Sequence, residues 1–62
     1  MPIINMEGPA IRDLDTKRKL TRRVTEAAAE AYGLPAETII VIFRENAPDN
    51  VSVGGQLLID RQ

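Results

Sequence analysis

The stretch "EAAAEAYGLPAETIIVIF", residues 26–43, decides the fold because it contains the end of a helix, a stop signal and a strand, in that order. Gly33 suits the left-handed residue that ends a helix, and Pro35 prevents the helix from continuing. Thr38–Phe43 is an unbroken apolar run rich in β-branched residues. Such a run is typical of a strand covered on both faces, as in a parallel pair joined by a helix.

The helix upstream of Gly33 is predicted from about Asp15 to about Tyr32. Either Asp13 or Asp15 can cap its first turn. Its apolar residues recur at helical spacing and form one stripe: Leu20, Val24, Ala27, Ala28 and Ala31.

Two further segments complete the predicted architecture. Ile3–Met6 is a short apolar run ended by Gly8 and Pro9, which predicts a first strand. Strand, helix and strand then form a right-handed β-α-β unit. After the turn-rich loop "ENAPDN", the run "VSVGGQLLI" at residues 51–59 predicts a C-terminal β-hairpin around its glycine pair. The fold class is therefore α/β (α+β): a β-α-β protomer with a C-terminal β-hairpin.

The length of the chain predicts self-association. With 62 residues it forms one domain, and a domain this small buries only ~60% of its unfolded surface. The absence of cysteine and histidine excludes disulfides and the usual zinc sites, so partner subunits are the remaining source of stability. A two-stranded sheet with one helix also leaves both sheet edges open. Pairing two copies would give a four-stranded sheet with two helices.

Charge and hydropathy exclude several classes of partner. A net charge of −1 with one Phe and one Tyr argues against nucleic-acid binding. No apolar run approaches the ~20 residues of a membrane span. The N-terminus has no basic start of the kind found in signal peptides, so a cytoplasmic location is expected.

Several kinds of chemistry are excluded by composition. Without histidine or cysteine, and with Ser52 as the one serine, no Ser-His or Cys-His pair can be built. The glycine pair Gly54–Gly55 precedes no helix and no GK[ST], so it is a turn and not a phosphate loop. We expect neither a metal nor a cofactor. The basic run "KRKLTRR", Lys17–Arg23, is interpreted as a solvated helix face with an Arg22–Glu26 pair.

Pro2 and Arg12 remain as candidates for chemistry. Methionine is normally trimmed before a small residue, and loss of Met1 would leave a secondary amine at Pro2; alternatively, Pro2 simply begins a strand, where proline is tolerated. An amine acts as a base only when unprotonated, and apolar walls and a nearby cation both favour that form. Arg12, in the loop between strand and helix, supplies a cation that could also hold an anionic substrate. Candidates for the apolar wall are Ile3, Val51 and Val53.

These residues together resemble the 4-oxalocrotonate tautomerase family. The resemblance rests on "MPII" at the start, Arg12 in the first loop, "RRVTEA" in the helix, the β-α-β order and "VSVGG" near the end. It implies one tautomerase domain over residues 1–62 and a homohexamer arranged as a trimer of dimers. It also implies a cofactor-free isomerase that acts on small carboxylates of the 2-hydroxy-dienoate or enol-pyruvate type. Pro2 would be its general base and acid, and Arg12 would bind the substrate carboxylate.

Two positions depart from the family pattern. Ile40 stands where the best-known members carry a second arginine, and Val51 stands where they carry an aromatic residue. Arg44 lies on the same side of the strand as Ile40 but ~13 Å away, so it is a poor substitute within one chain. We expect Ile3, Ile40, Arg44 and Val51 to line the substrate site with Arg12. These two departures bear on which substrate the enzyme accepts more than on the class of reaction.

Two alternative functions stay open at this point. The chain could be a non-catalytic homo-oligomeric module of the same fold. It could instead use Pro2 for hydration or dehalogenation, which would require a carboxylate such as Glu7 near the site.

Overall fold

A computed structural model of the chain describes residues 1–61 and has the predicted strand–helix–strand–hairpin order. Its elements are β1 (Ile3–Gly8), α1 (Leu14–Tyr32), β2 (Ile40–Glu45), β3 (Ser52–Val53) and β4 (Gln56–Leu57). Single 3-10 turns cover Ala36–Thr38, Pro48–Asn50 and Leu58–Asp60. The β-α-β unit and the C-terminal hairpin are confirmed.

The ends of α1 follow from its capping residues. Asp13 is the N-cap: its Oδ1 accepts from the Asp15 N–H at 3.1 Å, and its Oδ2 accepts from the Thr16 hydroxyl at 2.8 Å. At the other end Gly33 adopts φ 67°, and the Leu34 N–H returns to the Ala29 carbonyl at 3.1 Å. Within residues 1–61 no helix is long and apolar enough to cross a membrane.

β2 begins two residues later than predicted because Thr38 belongs to a turn. The carbonyl of Pro35 accepts both the Thr38 N–H at 3.0 Å and the Thr38 hydroxyl at 2.7 Å. This local pairing competes with the sheet for the Thr38 backbone.

Both strands also run two residues further than predicted. β1 and β2 pair in parallel over six residues, from Ile3 opposite Ile40 to Gly8 opposite Glu45. The ladder continues past the apolar run because backbone pairing does not depend on side-chain polarity. It therefore carries Arg44 and Glu45 at its end.

The parallel register gives the sheet two unequal faces. The half-buried face contains Ile4, Met6, Val41 and Phe43 and lies towards α1, which contributes Leu20, Val24 and Ala28. The opposite face is open, with Ile3, Ile40 and Ile42 being 56%, 37% and 39% exposed. The prediction that β2 is covered on both faces is thus wrong for a single protomer. Ala27 and Ala31 of the predicted helix stripe are exposed as well.

The protomer is more extended than a compact domain of its size. Its radius of gyration is 14.8 Å, against about 11 Å for a compact chain of this length. Its accessible area is 4990 Å², against about 4,000 Å² for a compact protein of this mass. No residue between 1 and 61 is fully buried. We therefore expect the core to be completed by an apolar surface of another molecule.

This geometry predicts that the protein is assembled whenever it is folded. Light scattering at micromolar concentration should give about six times the 6.8 kDa protomer mass. Ile42→Glu, which places a charge on the open sheet face, should lower that mass and the helical content together. Lys19→Glu on the exposed side of α1 is the control and should change neither. A folded, helical monomer of the natural sequence would contradict the prediction.

Candidate active site

One end of the parallel pair brings together Pro2, Ile3 and Ile40. The carbonyl of Pro2 accepts the Ile40 N–H at 3.0 Å, and Ile3 lies opposite Ile40 in the ladder. Pro2 is half-buried, whereas Met1 before it is 84% exposed. Removal of Met1 would therefore cost little packing. The two strand residues at this end, Ile3 and Ile40, are both apolar and belong to the open face of the sheet.

The other candidate residues lie at the opposite end of the sheet. The ladder from Ile3 to Gly8 spans about 16 Å at ~3.3 Å per residue. Arg12 follows that end of β1, and its neighbour Ile11 is hydrogen-bonded to Glu45 at the end of β2. A single protomer therefore does not bring Arg12 next to Pro2.

The apolar wall predicted for Pro2 is also incomplete within one protomer. Val51 lines a cavity of about 500 Å³ beyond the end of β1, with Gly8, Pro9 and Leu58. Val53, in the hairpin, is 53% exposed. Of the three predicted wall residues, only Ile3 lies beside Pro2. The order of residues along the chain did not reveal which end of the ladder each of them occupies.

Arg44 and Glu7 are engaged on the open face of the sheet. Arg44 Nη1 donates to Asn5 Oδ1 at 3.1 Å, and Asn46 Nδ2 donates to Glu7 Oε1 at 3.4 Å. Glu7 and Arg44 are paired near the end of the ladder remote from Pro2, and the Arg44 guanidinium reaches back to Asn5 in the middle of the ladder. Within a protomer neither supplies the cation missing at Ile40 or the carboxylate that hydration chemistry would need.

Glu45 anchors the loop that carries Arg12. Its Oε2 accepts the Ile11 N–H at 2.8 Å and the Lys17 ammonium at 2.7 Å. The Lys17 Nζ also lies 5.4 Å from the centroid of the Phe43 ring, within cation–π range. These contacts surround one end of a cavity of about 250 Å³ that Met6, Leu20 and Phe43 also line.

The contacts of Glu45 fix its charge. The hydrogen bond from Lys17, and then the one from the Ile11 N–H, hold the pKa of Glu45 below its ordinary value of 4.5. Glu45 is therefore a carboxylate near neutral pH. It acts as a fixed acceptor and not as a proton donor.

The interpretation of "KRKLTRR" as a solvated helix face does not hold for its first residue. The Lys17 side chain is only 24% exposed and points to the sheet, whereas Arg18 is 62% exposed and pairs with Asp15 at 2.7 Å. The expected Arg22–Glu26 ion pair is not formed in the described part of the chain. The sequence-based reasoning missed Lys17 and Glu45. The one signal available was that Lys17 lies three residues before Leu20, on the same side of the helix as the apolar stripe.

Comparisons with known proteins agree on one family. A sequence model described as "Tautomerase enzyme" matches residues 2–61. The 2-hydroxymuconate tautomerase of Bacillus subtilis is 34% identical over 62 residues, which are the whole of both chains. The crystal structure of DmpI from Archaeoglobus fulgidus superposes with a TM-score of 0.85 at 37% identity, over 95% of this chain and 100% of that one. A heterohexameric 4-oxalocrotonate tautomerase from Chloroflexus aurantiacus has a TM-score of 0.86 at 26% identity, with both chains fully covered.

The Glu45 contacts predict a stability difference that becomes smaller in acid. Because the folded-state pKa of Glu45 is lowered, its contribution is complete above the ordinary value of 4.5 and is lost as the pH falls through the folded value. At equal protein concentration, Glu45→Gln should therefore lower the urea midpoint by more at pH 7 than near pH 3. Arg18→Gln, which removes a mostly exposed pair, should have little effect at either pH. An equal loss for Glu45→Gln at both pH values would contradict the prediction.

Proposed function

The chain belongs to the 4-oxalocrotonate tautomerase family of isomerases, and on that basis we propose that it moves a proton within small 2-hydroxy-dienoate or enol-pyruvate-type acids without a cofactor. Pro2, after loss of Met1, is the general base and then the general acid. The observation that carries the proposal is the half-buried Pro2 in an apolar end of the sheet, preceded by an exposed Met1.

The chemistry of Pro2 depends on its nitrogen. In a chain that retains Met1 this nitrogen is an amide and cannot take a proton. Once Met1 is removed it is a secondary amine, and the apolar surroundings of Ile3 and Ile40 disfavour its charged form. The free amine removes a proton from the enol form of the substrate and returns it to a carbon of the conjugated chain. The proton is conserved, so no other reactant is needed.

The substrate carboxylate needs a cation, and we assign that role to Arg12 of another copy. Pro2 and the Arg12 loop lie beyond opposite ends of a ladder about 16 Å long, far beyond hydrogen-bond reach within one protomer. The open sheet face already requires other copies for cover. A hexamer built as a trimer of dimers would join the two ends from different chains. The heterohexameric relative from Chloroflexus aurantiacus supports such an assembly.

The substrate class is supported by relatives and qualified by Ile40. The Bacillus subtilis relative is named for 2-hydroxymuconate, a dicarboxylate. In this chain the apolar Ile40, whose N–H is bonded to the Pro2 carbonyl, stands where the resemblance implies a second cation. The Arg44 guanidinium is bonded to Asn5 in the middle of the ladder and does not replace it within the protomer. We therefore propose low turnover with little preference between dicarboxylate and monocarboxylate enols.

The role of Pro2 predicts that activity follows the loss of Met1. Protein whose intact mass lacks Met1 should convert phenylenolpyruvate and 2-hydroxymuconate, followed by ultraviolet absorbance, and protein that retains Met1 should not. Pro2→Ala keeps an amine at the N-terminus but loses the ring, and should retain only a minor part of the turnover. Full activity with Met1 in place would exclude Pro2 as the base. A correctly assembled, trimmed protein with no activity on either acid would contradict the proposed reaction.

The Ile40 position predicts a selective gain. A cation aimed at charge that develops in the transition state lowers the barrier by up to several kcal/mol. Ile40→Arg should thus raise kcat/KM for 2-hydroxymuconate more than for phenylenolpyruvate. Ile40→Met, an uncharged change at the same position, is the matched control and should give no such selectivity; light scattering establishes that both variants keep the natural assembly. A natural protein that already prefers the dicarboxylate strongly would show that another residue supplies the cation.

A further inference from the structure

We propose that Glu45 is a positioning residue for Arg12: it fixes the loop that carries Arg12, while Lys17 neutralises the Glu45 carboxylate so that Arg12 stays available to the substrate. The inference rests on the proposed function, in which Arg12 binds the substrate carboxylate.

The loop around Arg12 is held on both sides of that residue. Residues 9–13 form no helix or strand. Immediately before Arg12, the Ile11 N–H donates to Glu45 Oε2 at 2.8 Å. Immediately after it, Asp13 is the N-cap of α1 and accepts from Asp15 and Thr16. The backbone of Arg12 is therefore fixed between the sheet and the helix start.

The anchor on the sheet side is itself rigid. Glu45 is the last residue of β2, opposite Gly8 in the ladder, and the next N–H, that of Asn46, donates to the Gly8 carbonyl at 2.8 Å. The Glu45 side chain is 33% exposed and accepts two bonds on one oxygen. Hydrogen bonds to a charged acceptor are roughly twice as strong as neutral ones. The carboxylate thus holds the loop better than a neutral side chain would.

The Glu45 carboxylate lies close to the Arg12 loop and could pair with Arg12 itself. Lys17 prevents this by pairing with that carboxylate. The Lys17 ammonium lies 2.7 Å from Glu45 Oε2, on the oxygen that also holds the loop. Within residues 1–61 the ion pairs are Lys17–Glu45 and Arg18–Asp15, so Arg12 is in neither. Lys17 thus occupies the charge of Glu45 and leaves the Arg12 guanidinium to an external anion.

Displacement of Arg12, the residue proposed to bind the substrate carboxylate, has a measurable consequence. A misplacement of about 1 Å in a substrate-binding group can lower the rate by up to about 100-fold. Loss of Glu45 should mainly weaken binding of the substrate carboxylate, so KM should rise more than kcat falls. A purely structural role would reduce the amount of active assembly and lower kcat with KM unchanged.

The test is a double-mutant cycle in the full-length, trimmed protein with phenylenolpyruvate as substrate. Arg12→Ala should lower kcat/KM by roughly 10–100-fold, and Glu45→Gln by roughly 3–10-fold through KM. Combined with Arg12→Ala, Glu45→Gln should cause no further loss, because its effect passes through Arg12. Lys17→Met keeps the Glu45 carboxylate but removes its ion-pair partner, and it should also lower kcat/KM. That loss should likewise vanish in the Arg12→Ala background. Arg18→Gln, which removes the other ion pair of α1, is the control and should be silent.

The outcomes separate the two proposals. Light scattering first establishes that each variant keeps the natural assembly. If Glu45→Gln does not assemble, Lys17→Met is tested in its place. If Arg12→Ala leaves kcat/KM unchanged, Arg12 is not the clamp and the proposed function loses that residue. Two results would contradict the positioning role while leaving Arg12 as the residue that binds the substrate carboxylate. Either Arg12→Ala lowers kcat/KM and Glu45→Gln has no effect, or the losses of the two variants multiply in the double mutant.

Discussion

The open face of the two-stranded sheet is the constraint on which the rest of this structure depends. One helix covers one face, and the other presents Ile3, Ile40 and Ile42 to solvent. The chain exposes about 1,000 Å² more than a compact protein of its mass, worth about 25 kcal/mol if it were all apolar and covered. That upper limit exceeds the whole net stability of an ordinary domain. We therefore expect association to be part of folding for this chain and not a later event.

The parallel pairing also determines where chemistry can occur. Parallel strands place both N-terminal ends at one edge and both following loops at the other. Pro2 therefore lies at one end of the sheet, and the Arg12 loop lies at the other, fixed by Glu45. A site that needs both residues has to combine the ends of different chains. On the proposed function, assembly would supply both stability and the active site.

Local signals in the sequence predicted the elements well, because each depends on few neighbours. Gly33 and Pro35 ended the helix where predicted, and Asp13 capped it. Thr38 was misassigned because a side-chain bond to the Pro35 carbonyl competes with the sheet. The role of Lys17 was missed because its partner, Glu45, lies 28 positions away in the chain, and only the folded register shows that they meet. The incomplete wall around Pro2 has the same origin: chain order does not say which end of a ladder a residue occupies.

The most direct test of the account asks whether Pro2 and Arg12 act from different chains. Pro2→Ala and Arg12→Ala, each impaired alone, are unfolded together in equal amounts, reassembled and assayed with phenylenolpyruvate. Random mixing should restore about a quarter of the natural sites, since a complete site takes Pro2 from one variant and Arg12 from the other. Differently tagged chains establish that mixed assemblies have formed. Activity that stays at the level of the separate variants in those mixed assemblies would contradict a site shared between subunits.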